Sequence, residues 1–127
     1  MYNRLKQLLN NSYSPYYNFP VSAVVVMKDG NTFEGVNVEN ANGTSICAER
    51  HAIGAAIAHG YKRKDFDRIY IMLSNGEFGT PCFACRQVIL EFFDKKSKVI
   101  SVNEDGEEKV FTVEELCPYP FSSEDLD

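Results

Sequence analysis

At 127 residues, with 44% hydrophobic and 24% charged side chains, the chain has the make-up of one folded domain over 1–127, with an adequate core. Thirteen Lys and Arg against eighteen Asp and Glu leave a net charge of −5, which disfavours a nucleic-acid partner. No apolar run reaches the length of a membrane span, and the polar start Met1-Tyr2-Asn3-Arg4 lacks the apolar stretch of an export signal, so a cytoplasmic location is expected.

Leu5, Leu8 and Leu9 share one stripe and predict a short amphipathic helix over residues 3–11. Pro15 and Pro20 hold the aromatic-rich segment 13–20 out of helix, as a loop. Residues 21–27 read as a strand, Asp29-Gly30-Asn31 as a turn, and 32–38 as the hairpin partner. A polar loop over 40–45 follows, with Ser45 expected to cap a helix that runs to His59 and stops at Gly60. Ala52, Ile53, Ala55, Ala56 and Ile57 give that helix a small apolar face that can lie close to a sheet.

Residues 68–74 predict a buried strand, and 82–93 a second helix burying Val88, Ile89, Phe92 and Phe93. Residues 98–102 form the next strand. Only residues 103–107, with the turn Asn103-Glu104-Asp105-Gly106, separate it from a strand at 108–111, too little for a parallel crossover, so these two pair antiparallel. Thr112 and Glu115 have the spacing of a capping box for one last helical turn. The expected fold class is α/β, with α/β/α layers around a mixed five-stranded sheet whose last two strands are antiparallel.

Two segments carry the chemistry: Cys47-Ala48-Glu49-Arg50 and Pro81-Cys82-Phe83-Ala84-Cys85. Three thiolates leave one of zinc's four tetrahedral positions for a reactant, and Glu49 stands two residues from the first cysteine as a proton carrier. This is the arrangement found in zinc deaminases, with cysteine where some of them carry histidine. Cys82 and Cys85, at i and i+3 on a first helical turn, face one way, and Cys47 opens the other helix. Helix N-termini favour thiolate over thiol. Arg50 and Arg86 are candidates to donate hydrogen bonds to the ligand sulfurs and offset their charge.

Other readings stay open at this point. Cys-x-x-Cys opening a helix also suits a dithiol redox centre, though such a centre does not require Cys47 and Glu49. Cys117 would close a purely structural four-cysteine zinc site. His51 and His59 complete no second metal motif, and Lys62-Arg63-Lys64, followed by Asp65 and Asp67, reads as a solvated loop.

From Tyr13 to Phe121 the sequence closely resembles the small homotetrameric, zinc-dependent cytidine deaminases of pyrimidine salvage. The resemblance rests on Ser14-Pro15-Tyr16, Phe19-Pro20-Val21, Asn37-Val38-Glu39-Asn40, the two cysteine segments with Arg86-Gln87, and the closing Leu116, Pro118, Tyr119 and Phe121. It implies one Zn2+ per subunit on Cys47, Cys82 and Cys85, with Glu49 shuttling protons. It further implies that Asn37 and Glu39 grip the ribose hydroxyls, that Phe19 walls the base, and that the Ala48 N–H reads the pyrimidine carbonyl. Phe121 would reach a neighbouring subunit's site in a homotetramer. Asn37 and Glu39, two apart on a strand, would share a face.

Three departures from the family pattern stand out. The segment between Glu39 and Cys47 is one residue short, Phe83 replaces a glycine, and Cys117 replaces a leucine. The expected substrate is a free pyrimidine nucleoside, cytidine or 2′-deoxycytidine. A blasticidin-type nucleoside deaminase is the alternative enzyme, and a structural zinc module the alternative without chemistry. Nucleic-acid editing deaminases resemble this fold, but their last two strands run parallel with a helix between.

Overall fold

In the computed structural model, which describes residues 1–126, Val21–Met27 forms β1, a strand buried along nearly its whole length because helices cover both of its faces. The other strands are β2 (Thr32–Val36), β3 (Phe66–Leu73), β4 (Phe93–Val102) and β5 (Glu108–Thr112). They lie in the order β2-β1-β3-β4-β5. β1 is antiparallel to both neighbours, β3 and β4 run parallel, and β4 and β5 form the expected antiparallel hairpin.

Alternation along β1 divides the core in two. Val24 faces the helix α1 (Tyr2–Leu9), where it packs with Leu5, Leu8, Met72 and Ile100, and Ser22 donates from Oγ to the Leu5 carbonyl at 2.8 Å. Ala23, Val25 and Met27 face the opposite way, into a larger cluster with Ala52, Ile53, Ala56, Phe66, Ile69, Ile89 and Val99. That side is covered by α2 (Ala48–Ala58), α3 (Phe83–Phe92) and the short α4 (Val113–Leu116). The architecture is therefore the three-layer α/β/α sandwich that the sequence predicts. Among the described residues, no helix is long and apolar enough to cross a membrane.

Several boundaries differ from the sequence reading, each for a physical reason. α1 ends at Leu9, two residues early, with Asn10 as its C-cap. Ser45 does not cap α2: Ile46 exchanges two backbone hydrogen bonds with Val38, which keeps the chain extended until Cys47 takes the cap position. β2 stops at Val36, and Val38 pairs instead with Tyr13 and Ile46. β3 starts two residues earlier, at Phe66, which pairs with Phe93. No loop separates α3 from β4: Phe93 ends the helix and opens the strand, and an irregular exposed stretch carries the chain to Lys98 before regular pairing resumes. The capping box is as expected, with Thr112 Oγ1 accepting from the Glu115 N–H and the Glu115 carboxylate accepting from the Thr112 N–H.

Candidate metal centre and active site

Cys47 and Cys82 are the N-caps of α2 and α3, and Cys85 lies three residues into α3. Neither cap is a strong helix former. Both are extended: Cys47 follows the Val38–Ile46 bridge, and the Cys82 sulfur accepts from the Cys85 N–H as a side-chain cap. The two helix starts converge, so that the three sulfurs all lie within 4.8 Å of one another. Cys47 Sγ and Cys82 Sγ are 3.7 Å apart. Tetrahedral zinc with its usual bond to sulfur requires about 3.8 Å between sulfurs, so the donor set fits that ion in both chemistry and spacing. Cys85 is fully buried while Cys82 is exposed, so the cluster opens to solvent on one side.

The thiols of this cluster share charge unevenly. Contact with the Cys85 thiol, then hydrogen bonds from Arg50 and Cys82, hold the Cys47 thiol down at about 5 against the opposing effect of burial. Cys85, beside that sulfur, buried and near Glu49, is pushed up. Arg50 lies against the cluster, with its Nη2 donating to Cys47 Sγ at 3.1 Å.

Glu49 is 5% exposed on the first turn of α2. Burial, assisted by the Cys47 charge, pushes its carboxyl up to about 7, against the lowering effects of the helix N-terminus and Arg50. A carboxyl titrating near neutrality can both take and return a proton, which a normal glutamate does poorly. Ala48, fully buried, is the first helical residue, so its N–H has no acceptor within the helix.

Gly35 on β2, which the sequence reading passed over, sets how closely α2 approaches. A Cβ there would stand 2.3 Å from the Ala48 carbonyl oxygen and 2.5 Å from the Ala52 nitrogen. Glycine inside a strand was the available signal, since it marks a close backbone approach.

Arg86 lies elsewhere than the ligand sulfurs. Its Nε donates to the Pro81 carbonyl at 2.7 Å, Nη1 to the Leu116 carbonyl at 2.9 Å, and Nη2 to Thr80 Oγ1 at 2.8 Å. All three nitrogens thus tie α3 to the segment before it and to α4. Phe83 points outward, 76% exposed, with the Arg86 guanidinium 4.4 Å from its ring centre. Cys117 hydrogen-bonds to the Arg86 carbonyl and stands outside the sulfur cluster, so a fourth cysteine does not close the site. His51 and His59 contact the carbonyls of Val36 and Ala55.

Asn37 and Glu39 fasten the loop 12–21. Asn37 Nδ2 donates to the Phe19 carbonyl at 2.9 Å, and its Oδ1 accepts from the Val21 N–H at 2.8 Å. Glu39, 6% exposed, accepts from Ser14 Oγ at 2.8 Å and from the N–H groups of Tyr16 and Tyr17 at 2.8 and 3.2 Å. Phe19 is partly exposed, and Phe121 projects into solvent with its carbonyl accepting from Gln87.

Two helix N-termini that deliver three thiols and a buried carboxyl to one point have the arrangement of the zinc deaminases. Residues 1–101 match the cytidine and deoxycytidylate deaminase zinc-binding region, and the chain belongs to that family. A cytidine deaminase of Halalkalibacterium halodurans is 39% identical over 121 residues, covering 94% of this chain and 90% of its own. The crystal structure of a cytidine deaminase from Burkholderia pseudomallei superposes with a TM-score of 0.88 at 37% identity, covering 94% of each chain. A blasticidin-S deaminase of Bacillus cereus is more distant, 30% identical over 111 residues, 80% of this chain and 76% of its own.

Proposed function

We propose that this protein is a cytidine deaminase, hydrolysing cytidine and 2′-deoxycytidine to uridine or 2′-deoxyuridine and ammonia. One observation carries the reading: three cysteine sulfurs at zinc-ligand spacing beside a buried glutamate whose carboxyl is pushed up to about 7. Cys47, Cys82 and Cys85 hold one zinc ion, which when bound supplies Lewis acidity to the water that attacks. Glu49 takes that water's proton and passes it to N3 of the ring as the oxygen adds at C4. It then takes the remaining proton of the oxygen now on C4 and delivers it to the amino group, which leaves as ammonia while the C4 carbonyl forms, so one carboxylate acts in turn as base and as acid.

The other side chains bind and orient. The Ala48 N–H donates to the pyrimidine carbonyl, Phe19 covers a face of the base, and Asn37 and Glu39 hold the ribose hydroxyls. Arg50 keeps Cys47 ionised. Arg86 acts at one remove, by fixing the start of α3. The chain works as one domain, in the cytoplasm and in pyrimidine salvage, on a small nucleoside and not on nucleic acid. Exposed Tyr119 and Phe121 favour a homotetramer in which Phe121 completes a neighbour's site.

Replacing Glu49 by Gln tests the reading. The variant should bind one zinc per chain and lose nearly all ammonia release from cytidine, and wild-type turnover would overturn the assignment. Cytidine and blasticidin S assayed side by side should show cytidine as the better substrate.

A further inference from the structure

Ser14 occupies a position that the proposed chemistry leaves without a role. Its hydroxyl donates to Glu39 Oε2 at 2.8 Å and accepts from the Phe19 N–H at 3.0 Å. The loop is shaped to make this possible. The Asn18 N–H closes on the Ser14 carbonyl at 2.9 Å, and Asn18 takes a left-handed φ of 51°, which reverses the chain and returns Phe19 to Ser14. The Phe19 peptide is therefore gripped from both sides, its N–H by Ser14 and its carbonyl by Asn37.

The acceptor count of Glu39 gives this geometry its consequence. A carboxylate offers about four lone-pair positions. Tyr16 and Tyr17 occupy Oε1, and Ser14 takes one position on Oε2. One position on Oε2 stays open, and its direction is set by where Ser14 holds the carboxylate. A hydroxyl arriving from a nucleoside can add there without displacing the loop.

We propose that Ser14 is a positioning residue for nucleoside binding, joining the carboxylate that receives a sugar hydroxyl to the aromatic residue that covers the base. The proposal rests on the deaminase reading above. Through Ser14, a nucleoside that engages Glu39 also finds Phe19 in place. Without the hydroxyl, Glu39 is free to turn and the Phe19 N–H loses its acceptor.

The test is Ser14→Ala, assayed on cytidine and on 2′,3′-dideoxycytidine, which lacks both the 2′- and the 3′-hydroxyl. On cytidine KM should rise about tenfold, the loss expected of one hydrogen bond to a charged group, with kcat within about twofold. On the dideoxynucleoside the same substitution should raise KM by only about threefold, because the Glu39 contact is already missing and the Phe19 contact alone remains to be lost. Equal losses on both nucleosides, or a fall in kcat with KM unchanged, would overturn the proposal. Amide exchange supplies an arm that needs no turnover: the Phe19 N–H should exchange at least about tenfold faster in the variant, with Ile69 unchanged. An unprotected Phe19 amide in the wild type would show that the relay does not exist. If the wild type released no ammonia from either nucleoside, the deaminase reading would fall, and the exchange arm would still decide the relay.

Discussion

Arg50 and Cys47 face each other across one helical turn, guanidinium Nη2 to sulfur at 3.1 Å, and the Nε of the same arginine is buried with no acceptor. Leaving a buried donor unpaired costs on the order of 1–3 kcal/mol. The side chain is held in that position by its other end, whose hydrogen bond to the Cys47 sulfur adds to the effect of Cys85 in lowering the Cys47 thiol. Replacing Arg50 by Gln should therefore weaken zinc binding by about 10- to 100-fold, the usual effect of losing a partner that supports a metal ligand. Competition with a chelator gives the affinity, and an unchanged far-ultraviolet spectrum separates the effect from unfolding. Arg50→Lys should recover little, since a single ammonium does not reproduce the planar fork.

Neither hydrophobic cluster uses the metal. Phe66, Ile69, Ile71 and Val99 fill one, and Leu5, Leu8 and Ile100 the other. Stripping zinc should abolish ammonia release while leaving the sheet folded. Because the ion binds only the native arrangement, zinc at about 100 times its dissociation constant should add about 2.7 kcal/mol of stability. In Cys82→Ser, Tm should no longer respond to zinc. A thermal titration with and without the metal checks both the wild type and the variant.

Glu39 gives the loop over 14–17 a dependence on pH. Burial raises its pKa, but the hydrogen bonds from Ser14 and from the N–H groups of Tyr16 and Tyr17 outweigh it, and the net shift is downward. A carboxyl whose pKa is lower in the folded state stabilises that state above its unfolded pKa, and the contribution is lost as pH falls through the folded value. Acid should therefore free this loop below the ordinary glutamate range, with the Tyr16 and Tyr17 amides exchanging faster while Val25 and Ile71 stay protected. Glu39→Gln should remove that acid-dependent step. An acid response unchanged in the variant would place the titrating group elsewhere.

Much of this was legible in the sequence. A short apolar run marked Val21–Met27, the five-residue gap before Glu108 required an antiparallel hairpin, and Thr112 with Glu115 announced their capping box. The two cysteine segments pointed to the sulfur cluster because metal ligation needs few residues at fixed spacing. What escaped depends on partners distant in sequence. Ser45 has the better side chain for a cap, but pairing of Ile46 with Val38 outranks that preference. Arg86 stands beside Cys85 in the sequence, while helix geometry turns it toward Pro81 and Leu116. Polar Asp94, Lys95 and Lys96 hid the early start of β4 at Phe93, which is set by pairing with Phe66.

Gly35 offers the sharpest test of how the sheet places the active site. An added methyl would collide with the Ala48 carbonyl oxygen and the Ala52 nitrogen. Both are backbone atoms of α2, so no side chain can swing aside, and the whole start of the helix has to move. That start carries Cys47, Ala48 and Glu49. Overpacking of this kind costs about 1–3 kcal/mol, and a misplacement of about 1 Å at reacting groups can cost about 100-fold in rate. Gly35→Ala should therefore lower both Tm and kcat, with the loss of kcat persisting at temperatures where the variant is fully folded. Gly54→Ala is the control on the same helix: a Cβ there meets nothing within 4 Å, and the change should stabilise the helix by about 0.5–1 kcal/mol. If the two substitutions affected kcat alike, close approach at Gly35 would not be what holds the catalytic helix in place.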